Sequence, residues 1–482
     1  MRNFLTAACG LVVCCVSAFA QGEKPQGNHN HRAPSGTNYF NVTVPAHDLD
    51  IILARPEDRS IAVSVQAHRV MTGNIVYGTS RNALTNQTTR IDLPSGEPAL
   101  FTLNKLLPDT QYYAEFRGQS SSATNPVVAA FQFHTARAAG STFTFTMTAD
   151  VHLDEHTSAQ VYEQTLANIR ADAPDFHIDL GNLFMTDKHA TRDEAWRQYL
   201  AQRYYLNQLG SPLLLALGVH DGEASRYDNG FPNSLAVQSN AVRKKYFPNP
   251  EPDAFYSGDA TRHAQSGLLE NYYAWTWGDA LFVVLDPYRY SLRSGGRNSD
   301  GWSWSLGRGQ YDWLARTLAT SKSKYKFIFI HNLLAGDQAS RGGVEIAGFN
   351  EWGGKNLDGT EGFAQHRPGW PMPVHQLLLK NHVTAVFRAH DNFYARQELD
   401  GIPYIMIPQP SFAGDDRIRD LENYGYKQGV FLGNSGHVRV TVSPANVRVE
   451  YVKASPSRIV ADKYLLPTNE LSRGTNGGGN LK

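Results

Sequence analysis

Side chains that bind metal ions or move protons recur in this chain at the ends of short apolar runs. Each run is predicted to be a β-strand of an α/β sheet, where ligands bind beyond the carboxyl ends of the strands. One such ending is a weak signal, because a lone His or Asn in a loop is more often only hydrogen-bonded. Five of them in chain order favour one shared site. The endings are Asp150-Val151-His152, Gly181-Asn182, Gly218-Val219-His220-Asp221, His331-Asn332 and Ala389-His390-Asp391-Asn392.

The cysteines restrict the chemistry that these groups can do. All three, Cys9, Cys14 and Cys15, lie in the first 20 residues, which are predicted to be a cleaved signal peptide. The mature chain would then hold no thiol, which excludes thiolate metal sites, cysteine proteases and redox dithiols. Any metal ion must be held by His, Asp, Glu, Asn or backbone oxygen.

The order of the motifs resembles the calcineurin-like metallophosphoesterases, a family that includes the purple acid phosphatases. The family pattern runs D-x-H, G-D, G-N-H-[DE], a lone His and G-H-x-H, against DVH, GN, GVHD, His331 and AHDN here. The resemblance covers about residues 143–455. It implies hydrolysis of phosphate mono- or diesters by a water that one or two divalent cations (manganese, zinc or iron) activate.

The resemblance also implies ligands for two neighbouring ions, and four of these positions are kept. Asp150 and His152 match ligands of the first metal, and His331 and His390 match ligands of the second. The catalytic machinery is kept as well. His220 matches the family His that contacts phosphate and assists the leaving group.

Three metal positions differ from the family pattern. Asn182 replaces the bridging Asp, so no negative charge offsets the repulsion between two close cations. Val219 replaces an Asn and offers no ligand atom, while Asn392 replaces a His and can ligate only through oxygen. These changes predict a weakened or single-metal site. Its expected ligands are Asp150, His152, Asn182, His331, His390 and Asn392.

Asp221 matches the acidic residue that orients the catalytic His in the family. The alternative is that His220 and Asp221 are remnants that only hold their loop. Other carboxylates near the motifs are conceivable replacement ligands, although Asp179 lies within a predicted strand, at an offset that turns it to the opposite face. These carboxylates are Asp154, Asp179, Asp187 and Asp391.

Two functions remain open at this stage. Survival of four site histidines favours a secreted phosphoric ester hydrolase, whereas three substitutions at metal positions favour a non-catalytic member that binds a ligand or a surface. A serine hydrolase lacks support, because no G-x-S-x-G motif is present. Long aromatic loops could line a substrate cleft or only pack together. Their residues are Arg297, Trp302, Trp304, Arg367 and Trp370.

The elements that must position this site fall into two regions. Residues 38–137 show short alternating strands, and LLPDTQYY resembles the tyrosine corner of fibronectin type III sandwiches. Residues 142–455 alternate strand-like and helix-like runs, which predicts an α/β fold of layered sheets flanked by helices. A hairpin is expected over 436–452 and a polar tail over 456–482.

The ends and the overall charge bear on location and partners. Residues 1–20 carry Arg2, an apolar run and an Ala18-Phe19-Ala20 cleavage site, and a flexible linker follows over 21–37. We therefore expect a secreted or periplasmic protein without a transmembrane span. With 45 basic and 45 acidic residues, the chain shows no basic excess for binding nucleic acid.

Overall fold

The computed structural model of the protein describes residues 40–120, 125–291, 301–337, 339–412, 414, 418, 420–454 and 458–467. The predicted signal peptide and linker, residues 1–37, lie outside this part of the chain. The described residues belong to one compact unit. None of their helices is both long enough and apolar enough to cross a membrane.

Antiparallel strands make up the first part of the described chain, as the short alternating segments predict. They form one sheet in the order β1-β2-β6 and a second in the order β4-β3-β7-β8, with β5 paired to β3. Side chains from both sheets share one core, so this region is a β-sandwich. The strands are β1 (Leu49–Ala54), β2 (Ser60–Ala67), β3 (Met71–Gly78), β4 (Asn86–Gln87), β5 (Ile91–Leu93), β6 (Pro98–Asn104), β7 (Gln111–Gln119) and β8 (Val127–His134).

The tyrosine predicted to tie a corner of the sandwich does so. Tyr112, the second residue of β7, is buried in the core. Its hydroxyl accepts a hydrogen bond of 2.9 Å from the backbone N–H of Leu107. Its ring stacks on Phe133 of β8, with 5.4 Å between the ring centroids. The side chain therefore joins the turn before β7 to the neighbouring strand.

Strands and helices alternate in the rest of the chain. Two sheets result, in the orders β11-β10-β9-β20-β21-β22 and β12-β13-β14-β15-β16-β18-β17-β19. The elements are β9 (Phe143–Thr148), α1 (Ala159–Asp172), β10 (Phe176–Asp179), α2 (Arg192–Leu206), β11 (Leu213–Leu215), α3 (Leu235–Tyr246), β12 (Ser257–Gly258), β13 (Tyr273–Trp277), β14 (Ala280–Val284), α4 (Gly307–Thr320), β15 (Tyr325–Ile330), α5 (Asn350–Gly353), α6 (Phe363–His366), α7 (Val374–Lys380), β16 (Ala385–Arg388), β17 (Tyr394–Leu399), β18 (Ile402–Met406), β19 (Val430–Leu432), β20 (Gly436–Val442), β21 (Val447–Lys453) and β22 (Ile459–Leu465).

The two sheets pack face to face through aromatic side chains. Phe145 of β9 meets Phe282 of β14 edge to face, with 5.1 Å between the ring centroids. In β15, Phe329 faces this inner core while Ile328 faces the helices, because successive side chains of a strand alternate between faces. Helices cover both outer faces, so the predicted α/β fold of layered sheets flanked by helices is confirmed.

Helix α2 begins where the sequence provides a capping box. The hydroxyl of Thr191 accepts from the backbone N–H of Glu194, and the Glu194 carboxylate accepts from the N–H of Thr191. Farther along the helix, the fully buried Arg203 donates to the hydroxyl of Ser64 in the sandwich over 3.1 Å. Asn207, just after the helix, accepts from the backbone N–H of Ile51 over 2.8 Å. Helix α2 is thus hydrogen-bonded to the sandwich as well as packed on its own sheet.

The C-terminal part differs from the expectation in one respect. The hairpin predicted over 436–452 is present as β20 and β21. Strand β22 then pairs with β21, although it lies inside the segment predicted as a tail. Its alternating exposed and half-buried residues give only a weak strand signal in the sequence, because the strand lies at the edge of its sheet.

Candidate functional site

The predicted ligand residues lie in loops with an unusual backbone. Asp150, His152, Asn182, His390 and Asn392 have φ angles of 59°, 42°, 59°, 89° and 63°. Residues other than glycine rarely adopt such angles, and each costs on the order of 1–3 kcal/mol unless its surroundings support it. The loops after β9, β10 and β16 therefore hold these side chains in conformations that local propensity disfavours.

Two glycines let the loops of the first sheet touch. A Cβ on Gly218 would lie 2.1 Å from the backbone nitrogen of Asn182, and one on Gly181 would lie 2.3 Å from the nitrogen of Gly218. Real Cβ atoms do not approach backbone this closely, so both positions require glycine. The contact fixes Asn182 against the loop that carries Val219 and His220.

Asp150 lies at the centre of the site and is fully buried. Its Oδ1 is 3.4 Å from His152 Nε2 and 3.7 Å from His331 Nε2. Its Oδ2 accepts from the backbone N–H of His390 over 3.0 Å. The rings of His331 and His390 are 5.4 Å apart between centroids. The structure thus brings together four of the predicted metal ligands from two strand-end loops and the end of β15.

Each of the three imidazoles uses one ring nitrogen to contact an oxygen atom. Contacts of this kind fix the tautomer and turn the other nitrogen toward a metal ion in many metalloproteins. The pairs are His331 Nδ1 with Leu180 O (2.6 Å), His390 Nε2 with Ala339 O (2.8 Å) and His152 Nδ1 with Asp154 Oδ2 (3.3 Å).

The second nitrogen of each ring has no hydrogen bond. Within the described part of the chain, His331 Nε2, His390 Nδ1 and His152 Nε2 are buried without a hydrogen-bonding partner, and so is Asn392 Oδ1. Unsatisfied polar atoms inside a protein are costly and therefore rare. Two of them, His152 Nε2 and His331 Nε2, lie within 3.7 Å of Asp150 Oδ1, and imidazole nitrogens with a carboxylate are donors that suit a divalent cation.

Electrostatics distinguishes the four residues. Burial opposes the charge of Asp150, yet the imidazoles of His331 and His152 and the N–H of His390 hold its pKa well below the usual value. Burial lowers the pKa of His331 to about 4 and that of His390 well below its usual value, so both are neutral and can ligate. Burial would also lower the pKa of His152, but Asp150 and Asp154 raise it to about 9. A cation bound there would displace that proton.

Asn182 occupies its expected place but turns its amide group toward Asp150. The Asn182 Oδ1 accepts from the backbone N–H of His220 over 2.9 Å, and the Asn182 Nδ2 donates to Asp150 Oδ1 over 2.9 Å. Because a backbone N–H can only donate, this pairing fixes which amide atom faces which neighbour. Asn182 therefore offers Asp150 a hydrogen-bond donor where a bridging carboxylate would offer an anionic oxygen.

Val219 makes its side of the site apolar. It packs against Ala224 and Tyr288, with Trp304 at the edge of the same cluster. Tyr288 is nearly fully buried, and its hydroxyl donates to Asn332 Oδ1. Hydrocarbon thus occupies the position at which the family pattern has a second-metal ligand.

His220 is paired with an aspartate other than the expected one. Its Nδ1 lies 3.0 Å from Asp187 Oδ2, and Asp187 also accepts from the hydroxyl of Tyr227 over 2.7 Å. Burial lowers the pKa of His220, although contact with Asp187 opposes this shift. Asp187 had been noted in the sequence only as a nearby carboxylate.

The expectation that Asp221 orients His220 is therefore wrong. Its carboxylate accepts from three backbone N–H groups, those of Gly218 (2.7 Å), Phe184 (2.9 Å) and Asn182 (3.0 Å). Burial raises the pKa of Asp221 to about 6 in spite of these bonds. Asp221 ties two loops together, because the two oxygens of a carboxylate can together accept three backbone donors.

The remaining carboxylates near the motifs have other partners. Asp179 accepts from Thr148 Oγ1 over 2.8 Å inside the sheet, as its offset in the strand predicts. Asp391 accepts from the hydroxyl of Tyr426 over 2.6 Å and pairs with Arg388. Of the conceivable replacements, only Asp154 contacts a predicted ligand, and it does so through the ring nitrogen of His152 that faces away from Asp150.

A cavity of about 210 Å³ opens beside the site. His220 and His390 line it together with the arginines Arg226 and Arg341 and the ring of Trp304. Both arginines are about one-third exposed; Arg341 pairs with Asp391 over 3.2 Å, and Arg226 lies 4.0 Å from Asp187. No sequence motif marks them, because each comes from a loop whose course depends on the fold.

Most of the aromatic loop residues pack on one another instead of lining this cavity. Arg367 forms an ion pair with the buried Glu351 and lies 5.5 Å from the ring centroid of Trp302 and 5.7 Å from that of Trp370. Trp304 does line the cavity. Arg297 lies outside the described residues.

Comparison with known proteins supports this description of the fold. A scan against protein-family models gave no match, and a search of curated proteins gave none either. Among solved structures, PhoD is similar over 90% of each chain, with 15% identity and a TM-score of 0.61. The purple acid phosphatase PPD1 from yellow lupin (Lupinus luteus) seeds is similar over 86% of this chain and 73% of its own, with 12% identity and a TM-score of 0.55. The chain thus shares its fold with PhoD and with a purple acid phosphatase, as the strand-end motifs predicted.

Proposed function

We propose that this protein is a metal-dependent phosphoric ester hydrolase that works with one divalent cation. The observation that carries the proposal is the set of three buried imidazole nitrogens that make no hydrogen bond among the described residues, two of which lie 3.4 and 3.7 Å from Asp150 Oδ1. The similarity in fold to PhoD and to a purple acid phosphatase is consistent with this chemistry.

Asp150, His152, His331 and His390 would hold the ion, with the oxygen of Asn392 as a further ligand. Three neutral nitrogens and one carboxylate suit zinc, iron or manganese. A bound cation would supply positive charge at the phosphoryl oxygens and lower the pKa of a water molecule.

The chain's own residues account for the other parts of the reaction. Arg226 and Arg341 line the cavity and would bind the phosphate oxygens of the substrate. His220 lines it too, and Asp187 accepts at its Nδ1, so Nε2 of the protonated ring would hand its proton to the leaving group and leave His220 neutral. Trp304 lines the same cavity.

The residues at positions 182 and 219 favour one bound ion over two. A second cation close to the first needs a bridging anion, and Asn182 supplies no negative charge. Val219 presents methyl groups to Ala224 and Tyr288, so it cannot act as a ligand of a second metal ion. The pocket therefore has one side that can ligate and one side that cannot.

A non-catalytic binding protein is the second candidate, and one contact favours it. The amide of Asn182 already donates to Asp150 over 2.9 Å, so the central carboxylate is hydrogen-bonded without any metal ion. Under this alternative the cavity would bind a phosphate group through Arg226 and Arg341 and release it unchanged.

We further propose that residues 1–20 are removed on secretion, that 38–137 form a fibronectin type III-like sandwich, and that 142–455 carry the hydrolase site. The N-terminal sequence of protein recovered from the medium or periplasm tests the first part. A mature chain that begins at Gln21 is expected, and a chain that keeps Met1 would contradict it.

Metal stoichiometry tests the hydrolase proposal. The purified mature protein is equilibrated with manganese, zinc or iron, freed of unbound ions and analysed for metal content, and its hydrolysis of p-nitrophenyl phosphate and bis(p-nitrophenyl) phosphate is followed. We expect a bound ion that is lost in His390→Ala, with hydrolysis lost in parallel. A folded protein without metal and without hydrolysis would overturn the proposal in favour of binding.

The double substitution Asn182→Asp with Val219→Asn tests the one-ion account. It restores a bridging carboxylate and a ligand oxygen, so the pocket should gain one ion and bind manganese at least about tenfold more tightly. The matched control is Val219→Ala, which removes packing without adding a ligand and should leave metal content unchanged. No gain in the double variant would contradict the account.

A further inference from the structure

A second group of possible metal ligands lies in the sandwich, and it uses none of the residues described above. His47 precedes β1, Asp50 lies in β1, and His68 follows β2. His47 Nε2 is 2.9 Å from Asp50 Oδ1, and His68 Nε2 is 2.8 Å from Asp50 Oδ2. In the described part of the chain, this is the group of His, Asp and Glu whose ligand atoms all lie within 4.8 Å of one another.

A neutral His47 ring has too few hydrogen atoms to donate to both of its neighbours. Its Nδ1 is 2.8 Å from the carbonyl oxygen of Pro45, and its Nε2 is 2.9 Å from a carboxylate oxygen. Both neighbours are acceptors, whereas a neutral imidazole carries a single N–H. A cation must therefore lie between Nε2 and Asp50, and it is either a second proton or a metal ion.

The geometry suits a metal ion as well as a proton. Ligand atoms of a tetrahedral zinc ion lie about 3.3 Å apart, so each imidazole nitrogen would move back from the carboxylate by about 0.4–0.5 Å to admit the ion. The Nδ1 contact with Pro45 keeps Nε2 aimed at the carboxylate, the arrangement that orients histidines in metal sites. His47 and His68 are part exposed while Asp50 is buried, so the site is open to solvent on the imidazole side.

We propose that His47, Asp50 and His68 form a structural site for a divalent transition metal such as zinc. Two imidazoles and one carboxylate bind such an ion through three protein ligands, and water completes the coordination. The fully buried Arg203 also approaches Asp50, with Nη2 3.3 Å from its backbone oxygen, so the ion binds beside a fixed positive charge. This charge sets the affinity below that of an isolated site with the same ligands.

The position of the site gives the ion a role. The ring of His47 lies 5.0 Å from that of Tyr204 in α2, and Ile51, the residue after Asp50, bonds to Asn207 beyond the same helix. Strand β1, the end of β2 and helix α2 therefore meet around the three ligands. A bound ion stabilises this joint between the sandwich and the α/β region.

The test uses zinc alone on the full-length protein after removal of metal with a chelator. Because the strand-end pocket also binds cations in our proposal, the measurement is made in the His331→Ala background, with and without His68→Gln. We expect the single variant to bind one zinc ion and to gain at least about 2 °C in Tm at zinc concentrations near 100 times Kd. The double variant should lose both the ion and the shift.

Two further variants make the result decisive. His47→Gln in the same background should also abolish zinc binding. It replaces His68→Gln in the test if that substitution lowers the Tm of the metal-free protein. His156→Gln, which alters an exposed histidine away from the cluster, should bind zinc as the parent does. If the His331→Ala protein binds no zinc, or binds it equally after both substitutions in the cluster, the cation beside His47 is a proton and the proposal is overturned. Neither result depends on whether the strand-end pocket hydrolyses esters.

Discussion

Two buried histidines of the α/β region look alike until their partners are compared. His177 lies inside β10 and His331 directly follows β15, and both are fully buried. Burial lowers the pKa of His177 to about 3 and that of His331 to about 4. The difference is that His177 uses both ring nitrogens, one to Thr146 Oγ1 over 2.9 Å and one to Thr148 Oγ1 over 2.8 Å. His331 uses only one.

This difference separates a histidine that stabilises the sheet from one that is ready for a ligand. Burial and a lowered pKa are common to both, so neither property identifies a site. A buried nitrogen without a partner destabilises the folded protein, and a ligand that binds it stabilises the folded protein again. The count of satisfied ring nitrogens is therefore the informative quantity for buried histidines in this protein.

The largest effect should follow from substituting His331, the histidine with an unpaired ring nitrogen. His331→Ala removes one of the ligand nitrogens, so we expect metal content to fall and hydrolysis of p-nitrophenyl phosphate to drop at least about a hundredfold. Elemental analysis and initial rates measure both quantities. His177→Ala is the matched control, since it removes an equally buried ring from the neighbouring sheet.

The control should show the reverse pattern. His177→Ala should lower the free energy of unfolding by about 2–4 kcal/mol, because it opens a cavity and removes one hydrogen bond each from Thr146 and Thr148. Its metal content at saturating metal should stay unchanged. If the two variants lose metal equally, the distinction between paired and unpaired nitrogens does not hold.

A smaller effect is expected from acid. His177 is neutral in the folded protein with a pKa of about 3, whereas the unfolded chain has the ordinary value near 6.5. The unfolded state therefore takes up the proton first, and the contribution of His177, complete above pH 6.5, is lost as the pH falls toward 3. Between pH 6.5 and pH 5 the loss should be about 1–2 kcal/mol.

Urea unfolding at the two pH values measures this loss. His177→Gln keeps a donor and an acceptor but does not titrate, so its stability should depend less on pH over the same interval by about the same amount. An identical pH dependence in the parent and the variant would show that His177 is not responsible.

The smallest effect concerns a third kind of histidine, which has one nitrogen paired and the other in the cavity. Asp187→Asn weakens the partner of His220 Nδ1, so we expect kcat to fall about tenfold while metal content stays the same. Rates as a function of pH should also show the limb assigned to His220 displaced toward lower pH, because the carboxylate that favours its charged form is gone. An unchanged profile with unchanged kcat would remove Asp187 from the reaction.

Much of the fold could be predicted from local patterns. Strands β9, β10, β15 and β16 are apolar runs that end in polar residues. The strand ends also placed Asp150 beside Asn182 and His331 beside His390, because β9 and β10, like β15 and β16, are parallel neighbours that present their carboxyl ends together. Periodicity and chain order were sufficient for these elements.

The remaining parts depend on contacts between distant loops. The partner of His220 could not be chosen between Asp187 and Asp221, because only the folded loops show that three backbone N–H groups occupy Asp221. The orientation of the Asn182 amide depends on the N–H of His220, and β22 depends on an available edge of β21. Spacing along the chain contains no information on such competition for partners.

The pairing of β9 has a consequence for the order in which the protein is made. This strand is near the start of the α/β region, but its neighbour on one side is β20, almost 300 residues later. A growing chain can pair β9 with β10 early and must wait for the C-terminal hairpin before the other edge is covered. The loop that carries Asp150 thus stays on an incomplete sheet until synthesis is nearly finished, and long-range closure of this kind is slow. Truncation anywhere before Val442 would leave a sheet edge open to other chains, a hazard for aggregation.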